Sequence, residues 1–309
     1  MISNVSLTAS PSPVNVTLRS DEVYQPHKEW RSLILGVLLI MLVFGAWGIQ
    51  AQETSRFEIP RSTVINLKSI DLEREYPLFI KLPRSYERHK EKSYPVIYLM
   101  DAWYSFQVVS GATRFPMNTG KMQEAIIVGI SYSKGSKGPS SRIRDYTQVE
   151  DATWKYKTGG ADRYLSFIKQ SVFPYIENNY RASNSRTFVG NSLGGLLGAY
   201  ILLTDSKMFD NYILGSPSVW FKGYDVLNIK AEPNLNKHNV FIAVGSNETS
   251  ELDSPSHDMV EGAKRLESKL SKRSFPNTKV KLLTIQGANH ETAFPTTAIQ
   301  GLDWLFKVE

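Results

Sequence analysis

The chain has 309 residues, of which 41% are apolar and 11% aromatic, enough for a large core and too many for a disordered chain. Its 36 Lys and Arg outnumber 30 Asp and Glu, giving a net charge of +6, but they form no run or aromatic-interleaved patch, which argues against nucleic-acid binding and leaves anionic small molecules or an anionic membrane surface. There is no cysteine, which excludes disulfides, thiolate metal sites and a thiol nucleophile together.

Residues 1–32 form a polar leader. An uncharged apolar run, LILGVLLIMLVFGAWGI, follows from Leu33 to Ile49, with Lys28 and Arg31 just before it. Its length is at the short end for a spanning helix. The basic flank orients the amino end to the cytoplasm and sends the remainder across the membrane. Residues 33–51 therefore read as a signal-peptide core, cleaved after Ala51, or as a retained membrane anchor. In either case the globular part, 61–309, is expected outside the cytoplasm, periplasmic or secreted.

From Arg61 onward, strand-like and helix-like stretches alternate. Thr63–Leu67 and Pro77–Leu82 suggest an opening antiparallel pair. Val96–Met100 and Ala125–Ile130 are continuous apolar runs, as expected of strands covered on both faces. Ser131–Ser141 is rich in Gly, Ser and Lys and reads as a mobile loop. Helical spacing covers Ala161 to Tyr180 and feeds a strand at Phe188. Further strands are expected at Tyr212–Leu214, Val240–Val244 and Val280–Ile285, with helices at Met259–Leu270 and Thr292–Phe306. The pattern predicts an α/β fold with a mostly parallel eight-stranded sheet, helices on both faces, and ligands at the strands' carboxyl ends.

Gly190-Asn191-Ser192-Leu193-Gly194-Gly195 lies between the strand Arg186–Val189 and the helical run Leu196–Leu203. Strand, sharp turn and helix form the context in which G-x-S-x-G marks a nucleophile elbow. The two outer glycines are expected to relieve crowding around a strained Ser192. A serine nucleophile needs a base within hydrogen-bond reach. Of five histidines, His27 precedes the apolar run, His89 sits in a charged turn, His238 lies at the wrong end of a strand and His257 opens a helix. His290 alone follows the last strand, in the chain order Ser, acid, His. Glu248 is the first acid after Val240–Val244, although Glu251, Asp253 and Asp258 are close enough to serve. The backbone N–H of Leu193 supplies one oxyanion donor, and the loop after Met100 supplies the other, at Trp103. Trp103 and Tyr104 are candidate substrate walls, with core packing as the alternative. Arg142 and Arg144 border the same region and suit an anionic ligand, although Arg144 can instead pair with Asp145. No metal or cofactor is called for.

The stretches Leu99-Met100-Asp101-Ala102, Arg142–Thr147, Gly190–Gly195, Ser216-Pro217-Ser218-Val219-Trp220 and Gly245–Glu248 resemble the putative-esterase (esterase D-like) branch of the α/β-hydrolases, from about Arg61 to the carboxyl end. The resemblance is to the secreted or periplasmic siderophore trilactone esterases in type, which implies an α/β-hydrolase fold and Ser192 and His290 as nucleophile and base. Acetyl-xylan, feruloyl and S-formylglutathione hydrolases share the branch. Asn191 departs from the His often found there. About twenty residues separate Trp220 from Val240, a connection too short for a lid. The expected substrate is a small or polymeric ester, an anionic ferric siderophore among the candidates. An acyltransferase or a non-catalytic envelope-anchored binding protein are the alternatives.

Overall fold

The computed structural model describes residues 56–70, 73–230, 236–272 and 275–308, with Leu33 and residues 35–37. The chain divides after Arg56. In the first part Leu33, Leu35, Gly36 and Val37 are helical and exposed. The rest of the leader and of the apolar run 33–51 lies outside the described residues. Among those described, no helix is long and apolar enough to cross a membrane.

The second part holds eight strands: β1 (Ser62–Lys68), β2 (Glu75–Lys81), β3 (Tyr94–Leu99), β4 (Ile126–Ile130), β5 (Ala182–Asn191), β6 (Asn211–Gly215), β7 (His238–Gly245) and β8 (Thr278–Ile285). They form one sheet in the order β1-β2-β4-β3-β5-β6-β7-β8. β1 and β2 pair antiparallel, β2 meets β4 antiparallel, and every later pairing is parallel. Every residue of β3 and β4 is buried, whereas the edge strand β1 alternates with solvent. Continuous apolar runs belong in the centre because helices cover both faces there.

The helices are α1 (Ala102–Asn118), α2 (Gly138–Tyr146), α3 (Ala161–Phe167), α4 (Phe173–Asn179), α5 (Leu193–Thr204), α6 (Phe221–Asn228), α7 (Met259–Leu270) and α8 (Ala293–Phe306). One core layer joins Ile97, Leu99, Val189, Ile213 and Phe241 to α1 and α8. The other packs Val96, Tyr98, Phe188 and Leu214 against α3, α4, α5 and α7. α5 is apolar nearly all round and correspondingly buried, so it sits against the sheet centre and carries Ser192 at its start.

Three local expectations change. The helix expected across Ala161–Tyr180 runs unbroken to Asn179 but widens to a π-helical turn, Ile168–Val172, before α4. Pro174 lacks the N–H that a continuous α-helix needs and crowds the preceding turn, which widens instead. The loop expected at Ser131–Ser141 ends in the first turn of α2 at Gly138. It is also tied down: Ser133 N–H donates to Ser141 Oγ at 3.0 Å, and Lys134 pairs with Glu75. Finally, α1 begins directly after β3, so Trp103 and Tyr104 stand on a helix and not in a loop.

Candidate active site

Ser192 directly follows β5 and caps α5 with φ 59° and ψ −120°, a region that costs a non-glycine residue on the order of 1–3 kcal/mol. The surroundings hold it there. Its N–H donates to Gly215 O at 2.8 Å, and its carbonyl accepts from Ser218 N at 3.1 Å and Leu196 N at 3.0 Å. Gly190 makes the turn sterically possible: a Cβ there would lie 2.3 Å from Gly194 O. Gly194 is different, since its Cβ would meet Met100 Cβ at 3.4 Å, an ordinary contact. The expected relief of crowding therefore falls on the first glycine alone. Gly190→Ala is expected to destabilise the fold by about 3 kcal/mol, as overpacking against backbone does; an unchanged urea midpoint would contradict this account.

His290 and Glu248 meet. His290 Nδ1 donates to Glu248 Oε2 at 2.7 Å. Glu248 is fully buried, and its other oxygen accepts from Gly245 N at 2.7 Å and Ser216 Oγ at 2.6 Å. Both carboxylate oxygens are thus satisfied, which makes burial of the charge tolerable. The hydrogen bond to Glu248 raises the His290 pKa above its ordinary 6.5, against the opposing effect of burial. The loops after β7 and β8 are held close: a Cβ on Gly245 would lie 2.3 Å from Ala288 O. Ser192 Oγ makes its hydrogen bond to Ser218 Oγ, at 3.3 Å, and not to His290. Contacts of this kind commonly tighten only when substrate is engaged.

The expected oxyanion donors stand at two helix starts. Leu193 is the first residue of α5, where N–H groups lack intrahelical acceptors. At α1, the N–H groups of Tyr104 and Ser105 donate to Asp101 O, and that of Asp101 donates to Tyr146 Oη, which leaves those of Ala102 and Trp103. The two helix starts are neighbours, since a Cβ on Gly194 would lie 3.5 Å from Asp101 Oδ2.

The substrate-wall residues separate. Tyr104 packs against Phe294 of α8, ring centres 5.5 Å apart, beside the His290 loop. Trp103 is 61% exposed, so core packing does not describe it, and its ring meets Phe79 of β2 edge-on at 5.1 Å. β4 and β3 lie between β2 and β5, a span of about 14 Å. The Trp103 ring therefore leans away from Ser192.

Arg142 does border the elbow, donating to Asn191 O at 3.4 Å, but its fork is already taken. Nε and Nη2 donate to the two Asp101 oxygens at 3.0 and 3.1 Å. Burial alone would lower the guanidinium's pKa, but the charge and hydrogen bonds of Asp101, with smaller contributions from Tyr146 and Tyr132, outweigh it and raise the pKa. Arg142 is a brace between the β3 and β5 turns, not a free anion receptor. Arg144 pairs with Asp145, Nε to Oδ1 at 2.7 Å, as its structural alternative required.

Residue-by-residue reasoning missed Asp101, Ser216 and Ser218. Asp101 adopts φ 55° at the junction of β3 and α1, and Ser216 adopts φ 39°. The available signal was the pair of short motifs that contain them, Leu99-Met100-Asp101-Ala102 and Ser216-Pro217-Ser218, each directly after a strand. An aromatic row also went unread: Trp220 stacks on His257 at 4.3 Å and on Trp154 at 6.2 Å, two residues beyond Ser218.

The chain is 30% identical over 270 residues, 81% of its length, to ferri-bacillibactin esterase BesA of Bacillus subtilis, of which it covers 91%. The BES protein of Bacillus cereus superposes with a TM-score of 0.69 at 27% identity, over 83% of this chain and all of that one. The IroE-like serine hydrolase of Shewanella oneidensis gives 0.68 at 25% identity, covering 79% of this chain and 80% of the other. Residues 69–304 match the family described as Putative esterase. With its α/β-hydrolase sheet and no lid among the described residues, the chain is an ester hydrolase and belongs to that family.

Proposed function

We propose that this enzyme is a serine carboxylesterase that opens siderophore esters through an acyl-enzyme on Ser192. The observation that carries the mechanism is the pairing of half-buried His290 with buried Glu248 on the loops after β8 and β7, at the same sheet edge as strained Ser192. In this reading Ser192 Oγ attacks the ester carbonyl while His290 Nε2 takes its proton. Glu248 holds Nδ1–H, fixing the tautomer and stabilising the imidazolium. The N–H groups of Leu193 and Trp103 receive the oxyanion. Collapse expels the alcohol, protonated by His290, and water then hydrolyses the acyl-enzyme by the same steps in reverse order.

The substrate class is supported by the relatives named as siderophore esterases, by the lack of a lid among the described residues and by the net charge of +6. The stacked Trp220, His257 and Trp154 offer flat surfaces suited to aromatic groups such as catecholates. Because Arg142 is committed to Asp101, recognition of the substrate's charge falls to other groups. The test is hydrolysis of a panel: ferric and iron-free catecholate trilactones, acetylated xylan and feruloyl esters. We expect kcat/KM to be highest for a trilactone and to fall about tenfold in Trp220→Ala through KM. Preference for acetylated or feruloylated sugars would transfer the enzyme to that other substrate class. Absence of any ester turnover by folded protein would leave only a binding role. Export is part of the same reading. A mature amino terminus near Gln52 is expected if the apolar run is a cleaved signal, and retention of Met1 with membrane pelleting if it is an anchor.

A further inference from the structure

A cavity lies away from the Ser192 edge. It has a volume of about 390 Å³ and lies between the segment that enters β1 and the outer face of α1. Lys81, the last residue of β2, lines it and is only 5% exposed. Because β2 runs antiparallel to β4, with Lys81 opposite Ile127 and Leu78 opposite Ile130, Lys81 points to the amino-end half of the parallel strands, opposite the catalytic edge.

Among the described residues, the Lys81 ammonium has no hydrogen bond or ion pair, and no acidic side chain lines the cavity. Its charged neighbours there are Arg61, from the β1 entry, and Arg114, from α1. Burial, and then these two like charges, lower the Lys81 pKa from 10.5 to about 8. Ser110 lines the same cavity; its Oγ is enclosed in the wall and has no hydrogen-bond partner. An unpaired ammonium on a side chain this enclosed and an orphaned buried hydroxyl each carry a desolvation cost that a fold removes unless something answers them. Three cations around one void, with an unpaired hydroxyl in its wall, are complementary to an anion's oxygens. The remaining wall, Phe57 and Ile59, is apolar, and Phe57 is almost fully exposed at the mouth.

We propose that this cavity binds an amphipathic oxyanion: a carboxylate or phosphate head held by Lys81, Ser110, Arg61 and Arg114, with an apolar chain along Phe57 and Ile59. The site is independent of the ester-hydrolysing centre. The ligand could be a free acyl anion or the headgroup of an anionic lipid, and the experiment separates these.

The full-length protein is titrated calorimetrically with decanoate, decyl phosphate and decanol. It is also sedimented with phosphatidylcholine vesicles with and without phosphatidylglycerol. Saturable binding of the two anions is expected, roughly tenfold tighter than decanol. Lys81→Met, which keeps the volume and removes the charge, weakens it roughly tenfold, and Arg114→Ala, on the exposed rim, weakens it several-fold. Hydrolysis of p-nitrophenyl acetate stays unchanged in both. Decanoate affinity also falls between pH 7 and 9, as Lys81 loses its proton while Arg61 and Arg114 keep theirs. Binding of the free anions identifies a soluble amphiphile; binding only to phosphatidylglycerol vesicles, lost in the variants, identifies a lipid headgroup. Absence of binding in every arm, or anion binding that Lys81→Met and Arg114→Ala both leave intact, overturns the proposal.

Discussion

Alanine in place of Ser192 is expected to lower kcat/KM for p-nitrophenyl acetate by roughly 10⁵- to 10⁶-fold, the scale on which nucleophile deletion acts in serine hydrolases. The p-nitrophenol burst of the parent enzyme should vanish with it. The side chain itself does little for stability: its one hydrogen bond, to Ser218 Oγ, is long, and the backbone bonds to Gly215, Leu196 and Ser218 remain. Removing the hydroxyl from a residue at φ 59° neither adds nor relieves a Cβ, so the strain persists and the melting temperature should barely move. A folded Ser192→Ala protein with more than about a hundredth of the parent rate would be incompatible with an acyl-enzyme on this residue.

The second large effect belongs to Glu248→Gln. The amide keeps the shape and can still accept from Gly245 N and Ser216 Oγ, so the loop after β7 should hold. What changes is the partner of His290 Nδ1. An amide does not enforce the tautomer with its lone pair toward Ser192, nor does it stabilise the imidazolium, and kcat should drop roughly 10⁴-fold. The pH profile gives an independent readout. A base must be neutral, so kcat/KM falls as pH falls through the His290 pKa, which Glu248 raises above 6.5. The acid limb of the parent enzyme is therefore expected above pH 6.5, and in Glu248→Gln it should shift downward. The same linkage acts on folding with the opposite sign. A raised histidine pKa contributes stability that is complete below 6.5 and is lost as pH rises through the folded-state value. An acid limb that Glu248→Gln does not move would show that another group sets it.

Much of the architecture is legible in the sequence. The apolar runs Val96–Leu99 and Ile126–Ile130 announce strands covered on both sides, and they occupy the sheet interior. Ser192, Glu248 and His290 each follow a strand directly, and position relative to a strand end is a local property. What stayed hidden depended on long-range contacts or on blurred periodicity. Helix α1 includes Gly111 and Pro116 and mixes Ser and Thr among its apolar positions, so its 3.6-residue repeat is weak. The engagement of Arg142 by Asp101 joins residues 41 apart, and nothing in either neighbourhood announces it. Ser216 reaches Glu248 across 32 residues because β6 and β7 are adjacent, a fact of strand order. Trp103 illustrates the limit from another side: a backbone position can be inferred from a motif, but the direction of its ring follows from Phe79, two strands earlier.

The two outer glycines of the elbow also differ in what evolution can do with them. Gly190 is pinned by a carbonyl that cannot retreat, whereas the space beside Gly194 would admit a methyl group against Met100. Drift at this pentapeptide should therefore be one-sided, with Ala arising readily at position 194 and never at 190. Searches that demand both glycines would overlook active descendants of this scaffold, and a library randomised at 194 should return functional clones that one randomised at 190 does not.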